Sequence, residues 1–379
     1  MKLVLSEEQE YLRETASNFA KEKTPVSHLR SLRDSEDTNC WDKKIWDEMV
    51  SLGRSGILIP EQFGGSDFGL TGISVILQEL GRTLSPSPLF ATSVLGVTAI
   101  NQLGNEDQKK DFLGKIAKGE ITCCLAVDEG THHNLSNVEL SAKKTKDGWI
   151  LNGSKVFIID GASADVAIII ARTSGIKGDL QGLTAFITDT KAKGISIKKV
   201  PTADSRNYAN FEIKDLNLTS DDLIGNVDDA SDSIQKVLDF GRIALAAEML
   251  GNTQEAFDVT IQYLKDRKQF GVPIGSFQAL QHRAAKMFCE IELTKSAVMA
   301  AMNAADESSN QMERLSSLAK YQAGQTLHLV SNESIQMHGG IGVTDEYDIG
   351  FYLKRARVAE QIFGNTSFHQ SRYSDISGY

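Results

Sequence analysis

Between residues 121 and 226 the chain abandons the three-and-four apolar spacing that governs everything on either side of it. The runs ITCCLAV, VELSA, GWILNG, VAIIIAR, LTAFITD, ISIKKV and FEIKDLNL are short and β-branched, and no helical stretch separates them. Such runs read as strands. Lys146-Asp147-Gly148, between two of them, is a hairpin turn. Successive strands without intervening helices argue against βαβ units and predict an antiparallel barrel or sandwich.

The flanking blocks are helical. Ser6 is placed to cap a first helix carrying Glu7 and Glu8 in its opening turn and Tyr11, Leu12, Ala16 and Phe19 on one face. A second helix is expected over Lys43–Leu52. Pro60, Gly64, Gly65 and Gly69 then break the pattern, which resumes over Ile73–Leu80. After the strands, Ile234, Val237, Leu238, Leu245, Met249, Phe257, Ile261 and Leu264 mark a long helix over 233–268, and Gly271 and Pro273 stop it. Phe277 restarts the spacing through Leu280, Ala284, Met287, Ile291, Val298 and Met302. The expected architecture is α+β and multidomain: an N-terminal helical domain (1–120), a middle antiparallel β-barrel or sandwich (121–226) and a C-terminal domain like a four-helix bundle (227–379). No internal repeat is present.

Of 379 residues, 41% are hydrophobic and 24% charged, enough to bury sizeable cores. A net charge of -10 argues against a nucleic-acid footprint. The opening MKLVLSEEQEYLRE meets acids too early for a signal peptide, and no apolar run reaches membrane-spanning length. Cys40, Cys123, Cys124 and Cys289 have no metal-ligand spacing and read as buried thiols of a cytoplasmic protein. No metal is expected.

The turn in RKQFGVPIGSFQALQHRAAKM sets Arg267 at the end of one helix and Gln278 at the start of the next. Unpaired helix N–H groups beside a guanidinium suit an anionic phosphate. An arginine satisfying helix carbonyls beside an ordinary turn is the alternative reading of the same residues. Further on, QMHGGIGVTDEYDIGFYLKRAR ends a helix at Gln336–His338, breaks it with Gly339-Gly340, and starts another.

Arg-x-x-Phe-Gly, a Phe-Gln pair seven residues later, and Gln-x-x-Gly-Gly-x-Gly, in this order and spacing, resemble the acyl-CoA dehydrogenase family over essentially the whole chain. The resemblance implies an FAD-dependent oxidoreductase that removes two hydrogens from an acyl-CoA thioester and passes electrons to an electron-transfer flavoprotein or similar acceptor. It assigns Arg267, Phe270, Gln278, Gln336, Gly339, Gly340 and Thr366 to the cofactor, and Asp239 and Arg242, in an Asp-x-x-Arg motif, to the acyl-CoA substrate. It also implies a tetramer.

The family's catalytic glutamate is missing. One family arrangement places it immediately before a Gly-Thr pair, where Gly364 stands here; a second places it directly before the motif's arginine, where Gly241 stands. Other groups were candidates on helix geometry. Glu248 lies about 10 Å along the helix from Gly241 and reads as an ion-pair partner of Arg283 or His282. Glu360 lies about 6 Å from Gly364 and reads as a salt bridge to Arg357 or Lys354. His338 and His369 could act near neutral pH, but lone histidines are usually structural. In the β domain the run Asp128-Glu129-Gly130-Thr131-His132-His133-Asn134 keeps only the family's glutamate, and Ile159 replaces a threonine that donates to the flavin ring. Such losses resemble one half of a heterotetramer built from two homologous chains. A homotetramer, a homologue with changed chemistry (elimination, hydration or another flavin oxidation) and a non-catalytic partner subunit stay open at this point.

Overall fold

The computed structural model describes residues 4–35 and 39–379. In chain order, α1 (Glu7–Lys23), α2 (Val26–Asp34), α3 (Lys43–Ser51) and α4 (Gly69–Arg82) come first. A π-helical stretch, Phe90–Gly96, runs into α5 (Val97–Leu103), and a second, Lys109–Leu113, links α6 (Glu106–Gln108) to α7 (Gly114–Ala117). Eight strands follow: β1 (Cys123–Ala126), β2 (Ser141–Lys144), β3 (Trp149–Ile159), β4 (Val166–Arg172), β5 (Leu183–Asp189), β6 (Ile195–Lys199), β7 (Tyr208–Leu218) and β8 (Leu223–Ile224). The chain closes with α8 (Ser231–Asp266), a two-stranded ribbon β9 (Lys268–Gln269) and β10 (Val272–Pro273), then α9 (Gln278–Asp306), α10 (Met312–His338), α11 (Ile349–Gln361) and α12 (Thr366–Ser377). The expected helix–sheet–helix order is the one observed.

These elements pack as two compact units, neither continuous in sequence. One contains the chain up to Ser31, Leu70–Ser85 and Arg242–Tyr379; the other contains Leu32–Gly69 and Pro86–Gly241.

The second unit is organised by a sheet in the order β6-β7-β3-β2-β4-β5-β8, with β1 also beside β4. All pairings are antiparallel except β1 with β4 and a single bridge between β2 and β4. The expectation of an antiparallel sheet is therefore refined. The β2–β3 hairpin lies between β1 and β4 in sequence, and it gives the chain the length a parallel return requires. That hairpin closes through Thr145 N to Gly148 O at 2.8 Å. Gly148 has φ +154°, and a Cβ there would stand 2.0 Å from the Leu218 carbonyl oxygen. Leu151, Ile169, Phe186 and Phe211 are fully buried on the inner face, and Trp149 meets Phe186 edge-on at 5.6 Å.

In the helical unit, Ser6 and Gln9 form a reciprocal capping box at the start of α1. The buried residues 243–250 occupy every side of α8, so this segment is a central helix rather than a surface one. It touches α4 closely, because a Cβ on Gly251 would lie 1.8 Å from the Gln78 carbonyl oxygen and one on Gly81 2.4 Å from that of Glu248. Both ends of α4 are satisfied from elsewhere in the unit. Asp306 accepts from the Leu70 and Thr71 amides at 2.6 and 3.1 Å, and Tyr352 Oη donates to Arg82 O at 2.6 Å.

Cys123 and Cys124 are buried in β1, where burial pushes the Cys123 thiol up to about 12. Cys40 is half-buried and Cys289 exposed, which corrects the expectation of four buried thiols. Cys289 falls off the Met287–Ile291–Val298 stripe that faces the core. Among the described residues, no helix is long and apolar enough to cross a membrane, and no group of three or more His, Cys, Asp or Glu is placed to hold a metal ion.

Candidate active site

Asp239 and Arg242 lie one turn apart on α8, and both are buried. Arg242 Nε donates to the Phe363 carbonyl at 3.2 Å, and its guanidinium stands 5.6 Å from the Phe368 ring centroid. Phe363 and Gly364 form the corner between α11 and α12. Both have positive φ, +55° and +107°, in the region that costs a residue with a side chain. Asn365 then caps α12 by accepting from Phe368 N at 3.0 Å. A Cβ on Gly364 would lie 2.2 Å from the Phe368 ring. A side chain at this position, a carboxylate included, would combine left-handed backbone strain with displacement of the Phe368 ring.

The carboxylates near the corner are occupied. Glu248 pairs with Arg355 through two hydrogen bonds of 3.0 and 3.1 Å, with both side chains buried. The expected partners Arg283 and His282 are corrected: Arg283 pairs with Glu333 on α10, and His282 is exposed. Glu360 likewise does not meet Arg357 or Lys354. Arg357 donates to His328 and Asn332, and Lys354 lies beside Asp345 and over the Phe351 ring. Glu360 instead accepts from Thr366 Oγ1 at 3.3 Å, with its other oxygen 3.9 Å from His328 Nδ1. The methyl group of Thr366 packs against Gly324, whose added Cβ would stand 2.7 Å away. His369 is buried with Nδ1 3.4 Å from Ser317 Oγ.

One participant went unnoticed in the sequence. Lys320 of α10 is fully buried, and its Nζ donates to the carbonyl oxygens of Glu360 at 3.0 Å and Gly364 at 3.3 Å. Burial lowers its pKa to about 7; Glu360 opposes that shift, and Arg242 and Arg355 add to it. The available signal was a lysine set among Ser316, Ser317, Ala319, Ala323 and Gly324, a stripe of small residues that allows close helix packing.

The turn after α8 is a hairpin. β9 and β10 pair antiparallel, and Phe270 and Gly271 form its two-residue loop with φ +54° and +79°. Two positive φ values match a type I′ turn, which usually takes Asn, Asp or Gly first. Phe270 is 92% exposed and meets Phe277 edge-on at 6.2 Å. Arg267 and Gln278 flank this hairpin, exposed. At the other segment, Gln336 is exposed near the end of α10, and a Cβ on Gly339 or Gly340 would meet nothing within 4 Å.

An aromatic contact joins the two segments. Tyr263, one turn before Arg267, lies against His338 with the rings tilted by 31° and 4.3 Å apart, and donates to its carbonyl oxygen at 3.3 Å. Tyr347 lies on the same ring at 4.9 Å. Burial holds His338 below its usual pKa against the opposing Ser334 carbonyl, which receives the Nδ1 proton at 2.7 Å. The arginine end and the Gly-Gly end are thus tied within one unit, as the sequence spacing did not show. Among the described residues, the side chains of Arg267, Gln278 and Gln336 take no partner. An exposed guanidinium, two free amides and two bare glycines fit an anionic dinucleotide such as FAD.

In the sheet unit the two acids of the run from Asp128 to Asn134 are satisfied internally. Asp128 accepts from His133 Nδ1 at 2.9 and 3.0 Å. Burial pushes the Asp128 carboxyl up, but His133, with Lys155 and a backbone N–H, outweighs it and holds the group below its usual value. Glu129 accepts from the Glu139 and Leu140 amides and from the fully buried Lys155 at 2.7 Å. Beside them, Phe157 sits in a bulge of β3 with φ +55° and stacks on Tyr208 at 4.5 Å.

Three family models match in series. They are the acyl-CoA dehydrogenase N-terminal domain over residues 6–120, middle domain over 123–216 and C-terminal domain over 231–373. The caffeyl-CoA reductase-Etf complex subunit CarC of Acetobacterium woodii is 28% identical over 97% of both chains. Butyryl-CoA dehydrogenase of Megasphaera elsdenii superimposes with a TM-score of 0.91 and 26% identity, covering all of both chains. The Tcur3481-Tcur3483 steroid ACAD superimposes at 0.88 with 28% identity over 98% of each. With helix, sheet and helix each matched by its own model in the expected order, the chain belongs to the acyl-CoA dehydrogenase family.

Proposed function

We propose that this chain is an FAD-dependent oxidoreductase subunit acting on the CH–CH bond of an acyl-CoA thioester, and that it works as the base-lacking member of a heterotetramer with a homologous chain. The observation that carries the reading is the corner at Gly364. There a positive φ and the Phe368 ring disfavour the glutamate that the family's commonest arrangement puts there. Gly241 occupies the second arrangement's position, and Glu248 is committed to Arg355. Arg267, Gln278 and Gln336, by contrast, are exposed and unpartnered among the described residues.

Bound FAD would supply a hydride acceptor. Arg267 would pair with its phosphates, Gln278 and Gln336 would hold its polar edges, and Gly339 and Gly340 would admit its close approach. Phe270, strained and exposed, would pack beside it, and Thr366 stands at the corner, already bonded to Glu360. Asp239 and Arg242 would line the acyl-CoA side. The α-proton would then be taken by a carboxylate of the homologous chain. Two relatives favour an assembly: one is named as part of a complex with Etf, the other as a pair of chains. An electron-transfer flavoprotein or similar carrier is accordingly the proposed acceptor, and the cytoplasm the proposed location.

Flavin per chain and turnover, measured for the chain alone and co-purified with a homologous partner, test this. Little yellow colour and no turnover alone, with both restored in the complex, is the expected result. A homotetramer that carries one FAD per chain and dehydrogenates acyl-CoA without a partner sinks the two-chain assignment.

A further inference from the structure

The corner between α11 and α12 is held by nitrogen donors from neighbouring helices. Arg242 reaches the Phe363 carbonyl from α8, and Lys320 reaches those of Glu360 and Gly364 from α10. A neutral amine has two N–H donors, and two carbonyl oxygens stand within reach; an ammonium ion brings a third donor and a buried charge. Around it, Glu360 of α11 favours the ammonium form, whereas Arg242 of α8 and Arg355 of α11 oppose it. Glu248 of α8 partly neutralises Arg355, and α12 contributes His369, held at Ser317 one turn before Lys320.

We propose that Lys320 is a positioning residue for Arg242, locking the Phe363–Gly364 corner on which that guanidinium rests, and that proton uptake by the amine loosens the lock. The sign follows from linkage. In the closed corner burial brings the amine to about 7, while an opened corner returns it toward its ordinary 10.5. The closed form therefore binds fewer protons between these values, gains stability as pH rises through them, and levels off below about 7. Only the assignment of Arg242 to acyl-CoA rests on the function proposed above.

Hydrogen exchange of the amides of 361–368, in the full chain from pH 6 to 9.5 and corrected for intrinsic rates, reads the lock directly. Protection should be flat below neutral pH and then rise by up to about tenfold per pH unit. Lys320→Arg, charged throughout, and Lys320→Met, never charged, should each abolish the slope. A flat wild-type profile, or an unchanged slope in Lys320→Arg, overturns the proposal even where Lys320→Met fails to fold. Acyl-CoA affinity over the same pH range separates the two ideas. A titrating corner with no acyl-CoA binding at any pH refutes the substrate assignment alone; acyl-CoA binding with a flat corner refutes the lock alone.

Discussion

Gly364 is a backbone requirement as well as the position where the proposed function has the family's acid missing. Gly364→Glu would combine left-handed strain with overpacking against Phe368, for a loss of roughly 2–5 kcal/mol on urea unfolding and no gain in proton abstraction. Measurable dehydrogenation by that variant alone would show that the corner can reopen around a base. Glu248→Gln makes the complementary case, since it leaves Arg355 buried without its anion. The expected loss is about 3–5 kcal/mol, read from the urea midpoint. At this scale the sequence disclosed which residue types were absent but not what the remaining ones touch. Glu248 and Arg355 are too far apart in the chain for helix spacing to join them, so the nearer-looking Arg283 drew the expectation. Lys320 was overlooked because a lysine on a helix is ordinarily solvated.

Elements were legible wherever their cause was local. The cap at Ser6, the Gly148 hairpin and the break at Gly339 follow from neighbours within a few residues, and the structure has all of them; α8, by contrast, ends at Asp266, ahead of Gly271, which lies in the hairpin loop. The parallel placement of β1 beside β4 depends on register between distant strands, which no short pattern records. The type I′ hairpin was hidden by Phe270, a residue that turn preferences place elsewhere. Exposure of that strained ring makes sense if something packs on it. Glycine at the α4–α8 crossing is another distant cause: Gly251 reads as a poor helix former until Gln78 is seen against it. Gly251→Ala should improve helix propensity by about 1 kcal/mol, yet destabilise the fold, because a methyl group cannot occupy the place of the Gln78 carbonyl. A raised melting temperature for this variant would mean the two helices separate at little cost.

For the whole molecule, the proposed division of function rests on contrast between the surfaces. The Asp128–His133 and Glu129–Lys155 pairs tie these four side chains of the sheet unit to one another, whereas Arg267, Gln278 and Gln336 in the helical unit are exposed, as the proposed cofactor site requires. Arg267→Ala in the complex with a homologous chain separates cofactor grip from assembly. Hydrogen bonds between charged groups contribute about 1.5–3 kcal/mol, so FAD affinity should fall by roughly 10- to 100-fold on flavin titration while the mass from light scattering stays constant. Arg267→Lys should recover only part of that loss, because an ammonium cannot reproduce the planar two-point contact with a phosphate. Unchanged flavin content in Arg267→Ala would reduce this arginine to a helix-end charge and leave the complex dependent on its partner for the cofactor. A simultaneous loss of flavin and mass would instead show that the hairpin carrying Phe270 is part of the joint between chains.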